Sequence, residues 1–249
     1  MNFLLLLEYD GTDFCGSQFQ PHIRTVQGEL EDSVLNIAPL NKRAMFASRT
    51  DSGVHALGQI AKISIDKSIS SNVLQSALNY YFSEDLSVKS VLNVDDDFNP
   101  RMNAVSRLYE YTISCGKARS PQNSRYSWEV KESLDVESMK KAALTLPRKP
   151  IDWSPFAAKL PENYSAIREL KEFTIFHKES FIKIRVRASG FLHHQVRRMV
   201  GALHKVGTKK MSVEEFGNLI NGPSNSVQFS APAKGLNLVE VEYPVPIFQ

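Results

Sequence analysis

Little in this chain of 249 residues points to crosslinking by disulfide or metal. It has two cysteines, Cys15 and Cys115, too few for a disulfide framework. That fits a reducing cytoplasm in which both serve as small packing residues. Its six histidines show no zinc-ligand spacing, and the adjacent His193-His194, read on a helix, would point about 100° apart and away from a shared metal. No apolar run approaches the ~20 residues of a membrane span. The opening Met1-Asn-Phe-Leu-Leu-Leu-Leu-Glu8 lacks the basic start, the long apolar region and the cleavage site of a signal peptide. Linkers rich in Pro, Gly or Ser are missing, as are low-complexity runs. A large excess of one charge is also missing: the net charge is +3, so nucleic-acid binding would have to come from clustered Lys and Arg.

What is present suits a folded protein. Hydrophobic residues make up 42% and charged residues 23%, enough apolar surface for a sizeable core. Patterning predicts a strand at Phe3–Tyr9, then a helix at Val26–Ala38 that places Val26, Leu30, Val34 and Ile37 on one face behind a Thr25 N-cap. A loop around Asp51, a strand at Gln59–Ile65 and a helix at Ser71–Tyr81 follow. The second half repeats this rhythm: a strand at Arg107–Ile113, a helix at Asp135–Leu146, and strands at Lys171–His177 and Phe181–Ala188 about a turn at Lys178–Ser180. Helices at Phe191–Val206 and Val213–Ile220 and a last strand at Leu236–Tyr243 complete the chain. This order predicts an α+β fold of two similar α/β halves, residues 1–105 and 106–249. A cleft between two such halves is a usual place for a substrate.

The richest chemistry lies in Arg49-Thr-Asp51-Ser-Gly53-Val-His55. Two residues apart in an extended stretch, Arg49 and Asp51 share a side. An arginine beside a carboxylate favours its ionised form, which can act as nucleophile or base. Gly53 permits a tight turn, and a loop between elements can present side chains to a cleft. The same spacing also describes an Arg–Asp surface pair worth roughly 0–1 kcal/mol, and spacing alone does not separate the two. In the predicted late helix, Leu192, Val196, Met199, Val200 and Leu203 form an apolar face, while His194, Arg197, Gly201 and His204 run down another stripe. Gly201 there costs about 1 kcal/mol relative to Ala, which points to close approach of another segment. Tyr109 and Tyr111 share one side of their strand and fit either a core or a base-stacking role. Short basic clusters at Lys42-Arg43, Arg101, Arg107, Lys117, Arg119, Arg125, Lys140-Lys141, Arg148-Lys149 and Lys209-Lys210 could follow an RNA backbone if they shared a surface.

Ser48-Arg-Thr-Asp-Ser-Gly-Val-His-Ala-Leu-Gly-Gln59 closely resembles the active-site signature of the tRNA pseudouridine synthase A (TruA) family, with Ser52 where the family has Ala. The likeness runs along nearly the whole chain, through Tyr9-Asp-Gly-Thr12, Phe98-Asn-Pro-Arg-Met-Asn-Ala104, Arg107-Leu-Tyr-Glu-Tyr111, Phe191-Leu-His-His-Gln-Val-Arg-Arg-Met-Val-Gly201, Ala231-Pro-Ala-Lys-Gly-Leu236 and Val239-Glu-Val-Glu-Tyr-Pro244. It departs in Cys15-Gly-Ser-Gln-Phe-Gln20, where Ser17 takes the place of a tryptophan, away from the residues given chemical roles. The resemblance implies halves of the ferredoxin/RRM-like kind, joined through mainly antiparallel sheets with helices on one face. It also implies isomerisation of uridine to pseudouridine in the anticodon stem-loop of tRNA. By the same likeness Asp51 is the nucleophile, Arg49 its partner, Tyr109 the active-site tyrosine, Arg197 a cleft arginine and Leu236 the apolar wall against the base. Neither cofactor nor metal is implied, and the expected assembly is a homodimer. A tRNA-binding protein without catalysis and a hydrolase with an Asp nucleophile are the rival readings.

Overall fold

The run Phe3-Leu-Leu-Leu-Leu7 does not alternate, because its strand is paired on both edges and nearly every side chain is buried. In a computed structural model that describes residues 1–116 and 118–248, this strand is β1, Asn2–Tyr9. It is followed by a short 3-10 turn at Gly11–Asp13, α1 at Val26–Leu35, β2 at Leu40–Phe46, β3 at His55–Ile65, α2 at Ser71–Tyr81 and β4 at Leu86–Asn93. Then come β5 at Ser106–Cys115, β6 at Trp128–Val130, α3 at Val136–Thr145, β7 at Pro150–Asp152, β8 at Ile167–Lys178 and β9 at Phe181–Ala188. The chain continues with α4 at Gln195–Gly207, α5 at Val213–Asn218 and β10 at Leu236–Glu242. The fold is α+β, with mainly antiparallel pairing. Among the described residues no helix is long and apolar enough to cross a membrane.

The chain divides into two compact units, Met1–Val105 together with the residues from Asn237 onward, and Ser106–Leu236. The sequence reading gives residues 237–249 to the second half. Residues 237–248 pack in the first unit because Asn237 and Leu238 pair in parallel with His55 and Ala56, and because Val105 N–H donates to Glu242 O at 2.8 Å.

In the first unit the strands run β4-β1-β3-β10. The two ends of β3 have different neighbours: β2 lies antiparallel to Ala61–Ile65, and β10 lies beside His55 and Ala56. The backbones of β3 and β10 come so close at Gly58 that a Cβ there would run into Val239 O. Thr25 and Ser70 cap α1 and α2, accepting from Gly28 N–H at 3.1 Å and Val73 N–H at 3.4 Å. Lys62 on β3 is buried, and its ammonium donates to the carbonyls of Asp95, Asp96 and Phe98 at 3.1, 2.6 and 3.0 Å. Those three bonds fasten the segment after β4. Lys62→Met is expected to lower stability by about 2 kcal/mol, measured by urea unfolding, because charge-assisted bonds disappear together.

In the second unit the order is β5-β9-β8-β7, with β6 parallel to the end of β5. Asp135 caps α3, and a Ser212–Glu215 capping box starts α5. Leu192, Val196, Met199, Val200 and Leu203 are all buried, as the apolar stripe predicts. α4 itself begins at Gln195 rather than Phe191. His194 takes a left-handed conformation (φ 63°), and Leu192 N–H donates to the Gln195 side chain at 2.9 Å. The His193-His194 pair therefore sits ahead of the helix. Its rings are not splayed 100° apart but lie 4.0 Å apart.

Candidate active site

Asp51 belongs to the segment 47–54 between β2 and β3, and nearly every polar group around it has a partner. Gln59, fully buried on β3, accepts from Ser48 N–H at 3.3 Å and donates to Ser48 O at 2.9 Å. The same amide donates to the Tyr9 hydroxyl at 3.3 Å, and that hydroxyl shares a 2.8 Å hydrogen bond with Thr50 Oγ1. Burial pushes the Tyr9 phenol up to about 12, with the bonds to Thr50 and Gln59 pulling the other way. It therefore stays protonated throughout the working range of an enzyme. Thr50 is held again by Ser17, whose N–H donates to Thr50 O at 3.1 Å and whose Oγ accepts from Thr50 N–H at 2.9 Å.

After Asp51 the chain turns. Val54 N–H donates to Asp51 O at 3.2 Å, with Gly53 at φ 76° in the turn, a conformation that suits glycine. Gly53 N–H and Ser52 Oγ both donate to Phe14 O at 3.3 Å. Gly11 lies against the end of the turn. Its N–H donates to His55 Nδ1 at 3.0 Å, and an added Cβ would come within 2.5 Å of the Val54 carbonyl carbon. The outcome is a clamped loop from which Arg49 is exposed and Asp51 half-buried. Sequence alone gives the clamp residues Tyr9, Gly11, Ser17 and Gln59 no site role. Ser17, read there as remote from the chemistry, bonds the residue that precedes Asp51.

The other three predicted residues lie in the second unit. Tyr109, on β5, is 5% exposed and meets Phe191 edge-on, ring centroids 5.2 Å apart. Arg197, on α4, donates through Nε to Ala231 O at 2.8 Å, while Ala231 N–H returns a bond to Arg197 O at 3.0 Å. Tyr111, fully buried, donates to Pro232 O at 2.8 Å. Burial raises its phenol pKa, and the nearby Arg197 charge opposes the rise. Gly235 packs so closely on the Tyr111 ring that a Cβ would sit 2.6 Å from Cζ. Arg197 and Tyr111 thus fasten the segment 231–235 that delivers the buried Leu236 to the head of β10.

The polar stripe of α4 is covered rather than solvated. A Cβ on Gly201 would lie 2.5 Å from Phe229 O, which is the close approach its presence suggests. His204 stacks on Trp128 at 4.4 Å between centroids, and burial holds its imidazole pKa below the usual value. The unfolded chain binds that proton more readily, so the stability tied to His204 is complete above about pH 6.5 and is lost on acidification. Thermal unfolding of His204→Gln is therefore expected to show a flatter fall between pH 7 and pH 5 than the parent protein.

The basic residues do not all face solvent. Arg107 is 7% exposed and donates to Ser189 O at 3.0 Å, and the half-buried Lys140 pairs with Glu137 at 2.8 Å. Lys42, Arg101, Arg119, Arg125, Lys141, Arg148, Lys149, Lys209 and Lys210 are exposed, as is Arg43, which pairs with Glu31 at 2.9 Å over the Phe19 ring; Lys117 lies outside the described residues.

Comparison with known proteins completes the description. Residues 151–244 match a family model described as tRNA pseudouridine synthase. A tRNA pseudouridine synthase A from Chloroflexus aurantiacus is 37% identical over 96% of this chain and 88% of its own length. Relatives of the same name from Geobacter sp. (strain M21) and Thermoanaerobacter sp. (strain X514) are 34% and 35% identical, covering 98% and 97% of this chain and 99% of their own lengths.

Proposed function

The chain belongs to the tRNA pseudouridine synthase A family and isomerises uridine to pseudouridine in tRNA, and on that premise we propose that Asp51 is its catalytic nucleophile. The observation that carries this reading is the clamp on the Asp51 loop. Tyr9, Ser17, Gln59 and the Phe14 carbonyl hold its backbone and the Thr50 side chain, so the carboxylate starts from a fixed base. A nucleophile held in place needs little reorganisation as it meets its target, and that is worth several orders of magnitude in rate.

In this reaction the N-glycosidic bond of uridine breaks, the base turns, and a carbon–carbon glycosidic bond forms. No redox change occurs. The target uridine, in the anticodon stem-loop, must leave its stack, at a cost of a few kcal/mol offset by contacts in the pocket. In this reading Tyr109 stacks on the uracil, Leu236 forms the apolar wall against it, and Arg49 and Arg197 orient the carboxylate or hold a phosphate. Residues 1–105 carry the Asp51 loop, and residues 106–249 carry Tyr109, Arg197 and Leu236. The acting form is a homodimer in the cytoplasm. The reading is tested by tritium release from tRNA labelled at uridine C5, with Asp51→Asn as the deciding variant. Pseudouridine mapping in tRNA from cells with and without the protein then identifies the positions modified.

A further inference from the structure

Ser17 lies between the 3-10 turn and α1 and is 1% exposed. Its carbonyl accepts from Gln27 N–H at 3.0 Å in the first turn of α1, and the neighbouring Gly16 carbonyl accepts from Val26 N–H at 3.3 Å. One side of this segment is therefore tied to a helix start. The other side is tied to Thr50 by the two bonds described above.

Those two bonds act on different peptide planes. The Thr50 N–H belongs to the peptide that carries the Arg49 Cα, and the Thr50 carbonyl belongs to the peptide that carries the Asp51 Cα. Peptide groups are planar, so holding one atom of each restricts the directions in which both side chains leave the loop. The bond to Thr50 O comes from a backbone N–H that almost any residue could supply. The bond from Thr50 N–H needs a side-chain acceptor one atom beyond Cβ at position 17. Space is also short: Gly16 has φ 89°, and a Cβ on it would sit 2.9 Å from Thr50 O.

We infer that Ser17 is a positioning residue for Asp51: its hydroxyl oxygen sets the Arg49–Thr50 peptide, its N–H holds the Thr50–Asp51 peptide, and Thr50, fixed from both sides, aims the carboxylate that follows it. The inference rests on the reading of Asp51 as nucleophile.

The test compares Ser17→Ala, Ser17→Thr and Asp51→Asn in the full chain. Ser17→Ala removes one atom and leaves the backbone bond, so the fold is retained. Its kcat is expected to fall about ten- to hundredfold, the scale of a small misalignment of reacting groups. Its dissociation constant for unmodified tRNA should stay within about twofold. Hydrogen exchange at the Thr50 amide should quicken while the β3 amides keep their protection. Ser17→Thr restores the acceptor and should recover kcat and Thr50 protection together.

Unchanged kcat in Ser17→Ala overturns the inference. So does a lower melting temperature with unchanged kcat per folded molecule, or failure of Ser17→Thr to restore kcat. Full turnover by Asp51→Asn overturns the nucleophile reading itself. Loss of turnover by that variant beside parental kcat in Ser17→Ala overturns the positioning role alone.

Discussion

Asp51→Asn is expected to release no measurable tritium from uridine-labelled tRNA, a loss of at least about 10⁴-fold in kcat, comparable to deleting other catalytic nucleophiles. The exchange is nearly isosteric, and the amide nitrogen cannot replace the lost anionic oxygen in attack. The rest of the loop has no reason to move. Ser48 stays on Gln59, Thr50 stays on Tyr9 and Ser17, and the Asp51 carbonyl still accepts from Val54 N–H. Stability should therefore change by no more than about 0.5 kcal/mol, as for most substitutions at partly exposed positions. tRNA should bind with an affinity close to that of the parent. Turnover within tenfold of the parent would assign the nucleophile elsewhere.

Gly11→Ala is expected to combine the largest stability loss with a loss of activity. The new methyl would face the Val54 carbonyl, backbone against backbone, with no flexible side chain to swing aside. Either the 3-10 turn or the turn after Asp51 must shift. Overpacking of this kind costs about 1–3 kcal/mol. In a chain of this size that corresponds to a melting temperature lower by ~2–12 °C. A shift at Val54 also pulls on its bond to Asp51 O, so kcat should fall by about tenfold or more. A melting temperature within 1 °C of the parent together with parental kcat would show that the two turns yield freely.

Much of this architecture is legible from residue patterns. Ser71–Tyr81 and Phe181–Ala188 coincide with the predicted elements to the residue, because a capped amphipathic helix and an alternating strand declare themselves locally. β2 does not: Leu40-Asn-Lys-Arg-Ala-Met-Phe46 buries only Ala44, so nothing in its composition marks a strand. The start of α4 is hidden by a left-handed histidine, a conformation that sequence does not announce. The site follows the same division. A motif can bring Asp51 to attention, yet the partners that hold its loop, Tyr9, Ser17 and Gln59, come from three separate segments. Ser17 reaches Thr50 across 33 residues of sequence, a distance over which periodicity carries no information. Tyr109, Arg197 and Leu236 come from the family likeness. Their local spacing describes core or surface residues equally well.

The parallel pairing of β10 with the His55 end of β3 also has a consequence for how the protein is made. The first unit is interrupted by the whole of the second, so the strand that flanks the foot of the Asp51 loop is made only after the second unit. At about 5–20 residues per second, the interval between synthesis of His55 and of Asn237 is on the order of ten to thirty seconds. Throughout that time β3 lacks its final neighbour. The nascent chain therefore carries the Asp51 motif long before it carries the finished support beneath it, and maturation of this loop waits for synthesis of the whole second unit.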